Sequence, residues 1–344
     1  MSDFSKQLDA LSERLSQPQN IVVIPHKDPD GDAIGSSLAW FRVLNAAGHK
    51  TTVVLPDAAP SALMWMESSS AMLVYAEDAE KVLACIAEAT LLFFLDFNTL
   101  SRTGKLAAVL QESPLPVVLI DHHPFPDEAL TEIMFSEVKV SSTCELSYVL
   151  MKALNFVPDK AAAECLYTGI MTDTGMLNHN SAHPAIYKTV AELLELGVDK
   201  DKVHREVFHS SSASRMRLIG HALCNKMHLL FGGQVAYIAL SDEELQGFDY
   251  QPGDTEGLVN MPLSIEGVEI AALMTEKEGG QIKMSFRSKG KLAVNTFSEQ
   301  YFSGGGHRNA AGGEFWGLLS DAEVRFKESM KIYLQEVHLQ EVQL

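Results

Sequence analysis

Four side chains able to bind a metal fall between positions 26 and 32: His26, Asp28, Asp30 and Asp32. They follow the β-branched run 21–24, which ends at Pro25, and precede Ile34, Leu38 and Phe41 at helical spacing. The pattern predicts a strand, a ligand-bearing loop and a helix N-terminus. Gly31 and Gly35 are expected to let the backbone turn tightly among the ligands. Carboxylates with a neutral imidazole are oxygen and nitrogen donors, which suit Mn²⁺ or Mg²⁺ better than a metal that prefers thiolates. A solvated turn rich in Asp, Pro and Gly has the same composition, so the loop gains meaning only from what the rest of the chain supplies.

Three further positions supply it. Asp96 ends the apolar run 91–95, Asp121-His122-His123 closes the apolar run 116–120, and Asp173 follows a helical pattern over 161–171. Every member falls at or near a strand or helix end. Adjacent histidines in a loop can take different tasks, one on a metal and one on a substrate. Asp121 is placed to orient a neighbouring imidazole, as carboxylates do for ligating histidines. His122 and His123 are the candidates for those two tasks.

The elements that must hold these groups alternate. Helices are predicted over 4–15, 34–47, 80–89, 142–154, 161–171 and 184–196, and strands over 21–25, 51–55, 91–96 and 116–121, with a short one near Val74 and Tyr75. Ser142-Thr143-Cys144-Glu145 has capping-box spacing. Apolar strands joined by helices imply a parallel sheet covered on both faces, with function at the strands' carboxyl ends. The His- and Met-rich segment 201–231 reads as a helical connector. A second α/β unit then runs from 232 to 344: a strand over 234–240, a hairpin turning at Glu278-Gly279-Gly280, a helix over 292–301, a glycine-rich loop over 303–307 and a closing helix over 322–337. The expected architecture is therefore an α/β catalytic domain, 1–200, joined to a smaller α/β substrate domain with a cleft between them.

The 344 residues carry 27 Lys and Arg against 45 Asp and Glu, a net charge of −18. So acidic a chain is no general nucleic-acid coater, because it lacks phosphate-neutralising cations. For a phosphate substrate, bound metals and a few local cations must reverse the field. Cys85, Cys144, Cys165 and Cys224 form no C-x-x-C pair and read as buried free thiols in a reducing compartment. There is no signal-like N-terminus and no apolar run near the roughly 18 residues that span a membrane, so a cytoplasmic protein is expected.

The order His-x-x-x-Asp-x-Asp, Asp, Asp-His-His, Asp resembles that of the DHH phosphoesterase superfamily. Gly304-Gly305-Gly306-His307 resembles the glycine-rich loop of its DHH-associated C-terminal domain. Pairing and length resemble the bacterial nano-RNase/pAp-phosphatase branch. The resemblance implies two divalent metal ions, usually Mn²⁺ with Mg²⁺ as the alternative. His26 and Asp30 would hold one, Asp32, His122 and Asp173 the other, and Asp96 would bridge them. A binuclear centre needs about five to seven oxygen or nitrogen ligands and one carboxylate able to bridge ions roughly 3.5–4 Å apart, which agrees with that set. Asp28 is left over and is read as shaping the loop. The implied activity is metal-dependent hydrolysis of short single-stranded RNA and of 3′-phosphoadenosine 5′-phosphate. Cyclic-dinucleotide phosphodiesterase and single-strand DNA exonuclease are the rivals within this chemistry. A non-catalytic nucleotide-binding scaffold is the rival outside it, and such a chain would be expected to have lost ligands.

In the second unit, Arg287 can grip a phosphate bidentately, and Ser288 with the 304–307 run offers an anion site. The superfamily's second domain binds the substrate's terminal phosphate or end nucleotide. Arg308 and Asn309 are weaker candidates. His204, His209, His221 and His228 read as packed or solvated helix histidines, Trp40, Trp65 and Trp316 as core, and Asp242-Glu243-Glu244 as a solvated helix start. No obligate protein partner is inferred, and a homodimer is left open.

Overall fold

A computed structural model describes residues 3–131, 133–209 and 211–342. The chain divides into two compact units, 1–210 and 211–344. In the first, the order is α1 (Ser5–Leu15), β1 (Asn20–Pro25), α2 (Gly31–Ala46), β2 (Lys50–Leu55), β3 (Leu73–Val74), α3 (Ala79–Glu88), β4 (Leu91–Leu95), α4 (Ala107–Gln111), β5 (Val117–Asp121), β6 (Ile133–Ser136), α5 (Thr143–Ala153), α6 (Lys160–Asp173), α7 (Pro184–Glu195) and α8 (Lys200–Phe208).

The six strands form a sheet in the order β3-β2-β1-β4-β5-β6, with every neighbouring pair parallel. Burial follows the pleat. Ile21, Val23, Phe93, Leu95, Val118 and Ile120 pack with the apolar residues of α2, α5 and α6, while Val22, Ile24, Leu92, Phe94 and Leu119 pack with Val82 and Ile86 of α3 and Leu110 of α4. Both faces are covered, which explains why these strands read as unbroken apolar runs. The order reverses between β1 and β4, and a crevice opens at the carboxyl ends of such a pair. His26 follows β1 and Asp96 follows β4. β6 was not anticipated: four residues at the sheet's edge carry too little pattern to read.

The second unit contains α9 (Ala213–His221), β7 (Met227–Leu230), β8 (Val235–Leu240), α10 (Asp242–Gly247), β9 (Ile270–Lys277), β10 (Gln281–Ser288), α11 (Val294–Tyr301), β11 (Gly305–His307), β12 (Ala310–Trp316) and α12 (Leu319–Val342). Its sheet has the order β11-β12-β10-β9-β8-β7, mixed, with only the β8–β9 pair parallel. Phe297 of α11 and Phe326 and Met330 of α12 pack with Phe286 on one face; Leu218 and Ile219 of α9 and Leu245 of α10 pack with Ile238 and Leu273 on the other.

Several expectations change. The segment 201–231 is not a separate connector: Val203 of α8 joins the first unit's core, whereas α9 and β7 belong to the second. Gly31 and Gly35 lie inside α2 and turn nothing. A β-carbon at Gly31 would sit 2.3 Å from Thr172 Oγ1 and one at Gly35 2.5 Å from the Cys165 carbonyl, so both exist for the close approach of α2 to α6. Part of the glycine-rich loop is strand, because residues 305–307 pair antiparallel with β12. Trp316, expected in the core, is 63% exposed, while Trp40 is buried. Cys144 and Cys165 are buried free thiols as expected, but Cys224 is exposed. Glu244 is no solvated helix start. It completes a capping box with Ser241 and meets Lys226 Nζ at 2.9 Å. Burial works against its charged form, yet the Ser241 N–H, Lys226 and His221 outweigh that and hold its carboxyl down at about 2. No described helix is long and apolar enough to cross a membrane.

Candidate metal centre

His26 leaves the sheet directly after β1. Its ring Nδ1 lies 2.6 Å from the Lys27 carbonyl, a bond that only a protonated Nδ1 can make. The neutral ring therefore presents the Nε2 lone pair, which is the ligating tautomer. That Nε2 lies 3.5 Å from Asp96 Oδ2 and 3.9 Å from Asp30 Oδ1. Asp30 is the N-cap of α2, accepting from the N–H groups of Asp32 and Ala33 at 3.0 and 3.1 Å. Asp32 follows in the first turn, 1% exposed.

Asp96 follows β4 in a left-handed conformation, φ 65°, an unusual backbone state for a non-glycine residue of the kind that concentrates at functional sites. His122 Nε2 lies 3.6 Å from Asp96 Oδ1, 3.8 Å from Asp32 Oδ2 and 3.7 Å from Asp173 Oδ2. Asp173 is the last residue of α6. The ligand atoms of His26, Asp30 and Asp96 lie within 4.8 Å of one another, as do those of Asp32, Asp96 and His122. The two sets share Asp96. Asp121 Oδ1 accepts from His123 Nδ1 at 2.7 Å, so the carboxylate orients His123 rather than His122. Asp28 belongs to neither set; its N–H donates to Asp57 Oδ2 at 3.2 Å.

Sequence reading missed the N-terminus of α5. The N–H groups of Thr143 and Cys144 donate to the two oxygens of Asp32 at 2.7 and 2.8 Å, and Thr143 Oγ1 donates to Asp96 Oδ1 at 2.9 Å. A helix N-terminus thus fixes two carboxylates, where its exposed N–H groups and dipole favour anions. The visible signal was Ser142-Thr143-Cys144-Glu145, read only as a cap. Ser142 does accept from the Glu145 N–H, but Glu145 Oε2 reaches back to the N–H of Ser141, one residue earlier than a capping box requires. Gly169 was missed too: a β-carbon there would lie 2.2 Å from Cys144 Sγ and 2.9 Å from Asp32 Oδ1.

The electrostatics fit divalent cations. Burial, then the neighbouring Asp173, pushes Asp32 up to about 6. Burial and the surrounding Asp32, Asp30, Asp121 and Asp173 push Asp96 well above the usual carboxylate range. Burial lowers His26 and His122 and so favours the neutral, ligating rings. Burial also opposes charge on His123, but its bond to Asp121 prevails and raises it. Asp121 Oδ2 is buried with no hydrogen-bond partner among the described residues. Crowded carboxylates, two neutral imidazoles and an orphaned buried oxygen form a donor set that a cation would relieve.

In the second unit, Arg287 and Ser288 are the last two residues of β10, and Arg287 Nη1 donates to the Phe286 carbonyl at 3.0 Å. The Ser288 hydroxyl is engaged internally, donating to the Leu292 carbonyl at 2.7 Å and accepting from Asn309 at 2.9 Å. Arg308 binds the Lys291 carbonyl at 2.7 Å. Gly304 and Gly306 have packing reasons to be glycine: β-carbons there would sit 1.9 Å from the Gly312 carbonyl and 2.7 Å from that of Ala310, and Gly306 has φ +134°. Gly305 has open space around it, with only Glu299 near, at 3.7 Å. His307 ends β11. Of the other histidines, His204 pairs with the Tyr167 hydroxyl at 3.0 Å and His228 stacks on Tyr237, while His221 meets Glu244 at 3.2 Å.

A sheet that reverses order beside a cluster of histidine–carboxylate sets built around Asp96 has the arrangement of a phosphoesterase of the DHH class. The DHH family, N-terminal domain, matches residues 20–170, and the DHHA1 domain matches residues 232–334. The chain belongs to the DHH family. Its backbone is similar to that of an exopolyphosphatase-related protein from Bacteroides fragilis, at 38% identity and a TM-score of 0.89, covering 95% of this chain and 96% of that one. It is 28% identical to the bifunctional oligoribonuclease and PAP phosphatase NrnA of Thermus thermophilus, over 90% of this chain and 89% of that protein. It is also 26% identical to the cyclic-di-AMP phosphodiesterase PdeA of Listeria monocytogenes, of which it spans 46%.

Proposed function

We propose that this phosphoesterase hydrolyses short RNA oligonucleotides and 3′-phosphoadenosine 5′-phosphate in the presence of two divalent cations, with Mn²⁺ preferred over Mg²⁺. The observation that carries the reading is the pair of ligand sets sharing Asp96. His26 and Asp30 would hold one ion, Asp32, His122 and Asp173 the other, and Asp96 would serve both. Cations bound there would supply Lewis-acid stabilisation of the phosphoryl oxygens and a more acidic water. Asp121 holds the His123 ring through Nδ1, and His123 gives a proton to the leaving oxygen. Thr143 and the α5 N-terminus keep Asp96 and Asp32 aimed. The similarity to the Thermus oligoribonuclease and PAP phosphatase over nearly its full length supports the substrate class.

Cyclic-dinucleotide hydrolysis is the second reading, favoured by the likeness to the Listeria phosphodiesterase over this chain's length. Turnover by purified protein with Mn²⁺ separates them. The panel is 5′-labelled RNA of two to twenty-four nucleotides, 3′-phosphoadenosine 5′-phosphate and cyclic di-AMP. The shortest RNAs are expected to be consumed fastest; preference for cyclic di-AMP over all of them would replace the proposal with the second reading.

Arg287, with His307 and the 304–306 backbone, is proposed to hold the substrate's terminal phosphate; Ser288, whose hydroxyl donates to the Leu292 carbonyl and whose N–H donates to that of Asn309, supports the Arg287 strand end instead. Losing a charge-assisted bidentate contact costs about 1.5–3 kcal/mol. Arg287→Ala should therefore lower kcat/KM roughly ten- to hundredfold on a substrate with a terminal phosphate. Bis-p-nitrophenyl phosphate has no such anchor and should be hydrolysed almost as before. Equal slowing of both would place Arg287 in support of the fold or the catalytic centre instead.

A further inference from the structure

Beyond the residues assigned so far, two cations held beside His26, Arg102 and Lys27, have no acidic partner within ion-pair distance among the described residues. The segment Leu100–Leu106 follows Asp96 and forms a 3-10 run. It is a fixed platform: the Arg102 N–H donates to the Thr99 carbonyl at 3.1 Å, Thr103 Oγ1 donates to the Leu100 carbonyl at 2.7 Å, and Thr103 and Leu106 are fully buried. Arg102 is exposed on it. The Lys27 N–H donates to the Arg102 carbonyl at 2.7 Å, tying this platform to the residue that follows His26. The Lys27 side chain runs over Gly104, with its Cδ 3.5 Å from where a β-carbon would stand. Two exposed cations are thereby held together at the edge of the site.

Arg102 lies close enough to act on two site histidines, His26 and His123, and its charge disfavours protonation of both. Among the described residues, neither Arg102 nor Lys27 has a carboxylate within ion-pair distance. That is unexpected in a chain of net charge −18 with so many carboxylates nearby. A guanidinium positioned by its backbone and left unpaired suits an oxyanion that arrives with the substrate, since its planar fork matches two phosphate oxygens.

We infer that Arg102, with Lys27 beside it, binds the non-bridging oxygens of the phosphate being cleaved. The inference rests on the phosphoesterase reading and adds a contact to it distinct from the terminal-phosphate role given to Arg287. A solvated surface arginine is the alternative.

The test compares wild type, Arg102→Ala and Arg102→Lys. Arg102→Ala should lower kcat/KM about ten- to hundredfold on both bis-p-nitrophenyl phosphate and an RNA dinucleotide, as loss of a charge-assisted contact to the common group implies. Arg102→Lys should recover part of the loss on both. Mn²⁺ stoichiometry and affinity, read by calorimetry, should be unchanged. Inorganic phosphate binding to the Mn²⁺-loaded protein should weaken in Arg102→Ala by a similar factor. That binding arm stands by itself: if wild type turned over neither substrate, the hydrolase reading would fall while the phosphate contact was still measured. Unchanged phosphate affinity in Arg102→Ala would overturn the inference. So would a kinetic loss confined to substrates with a terminal phosphate, or a loss that came with failure to bind Mn²⁺.

Discussion

Asp96→Ala is expected to cut turnover at least about a hundredfold, the scale of losing preorganised charge stabilisation at a two-metal centre. Asp96 is the one residue common to both ligand sets, with one oxygen toward His26 and the other toward His122. Removing it should lower occupancy at both sites, so calorimetric Mn²⁺ binding should fall together with rate. Asp96→Asn is the control for packing, because it keeps the volume and an acceptor for Thr143 Oγ1. It should fail nearly as badly if charge is what matters. Near-wild-type rate in either variant with saturating Mn²⁺ would remove Asp96 from the centre of the mechanism.

His123→Ala should show the second large effect, and its size should depend on the leaving group. An RNA alkoxide needs a proton as it departs, and general acid catalysis contributes about 10²–10⁴-fold. A p-nitrophenolate leaves without one. The expected result is therefore a fall of that order on an RNA dinucleotide and less than about tenfold on bis-p-nitrophenyl phosphate. Asp121→Asn should follow the same pattern in milder form, since Asp121 acts through its 2.7 Å bond to His123 Nδ1. Equal losses on both substrates would mean that His123 contacts the phosphate or a metal instead of supplying the proton.

Much of the site was legible because its residues sit where local pattern is strongest. Asp96 and Asp121 each end a continuous apolar strand, and a parallel sheet buried on both faces leaves only the strand ends for polar chemistry. What local pattern could not reach are contacts made by tertiary packing. Thr143 and Cys144 meet Asp32 across more than a hundred residues of chain. Gly31 and Gly35 are explained only once α2 and α6 are seen to touch; from sequence, glycines in an Asp-rich stretch read as a turn. Trp316 is the last residue of β12 and 63% exposed, a fact of where the strand ends rather than of composition. The unit boundary likewise follows from which core α8 and α9 join; each is a nine-residue helix with one histidine, and local pattern does not say which core it meets.

The most direct test of the account is the turnover of a 5′-labelled RNA dinucleotide by exhaustively chelated protein, titrated with Mn²⁺. No turnover should occur without metal, and rate should rise to a plateau near two ions per chain, the number that two ligand sets sharing Asp96 can hold. Full activity in the chelated protein would contradict the metal mechanism, and a plateau reached at one ion per chain would contradict the shared-ligand centre.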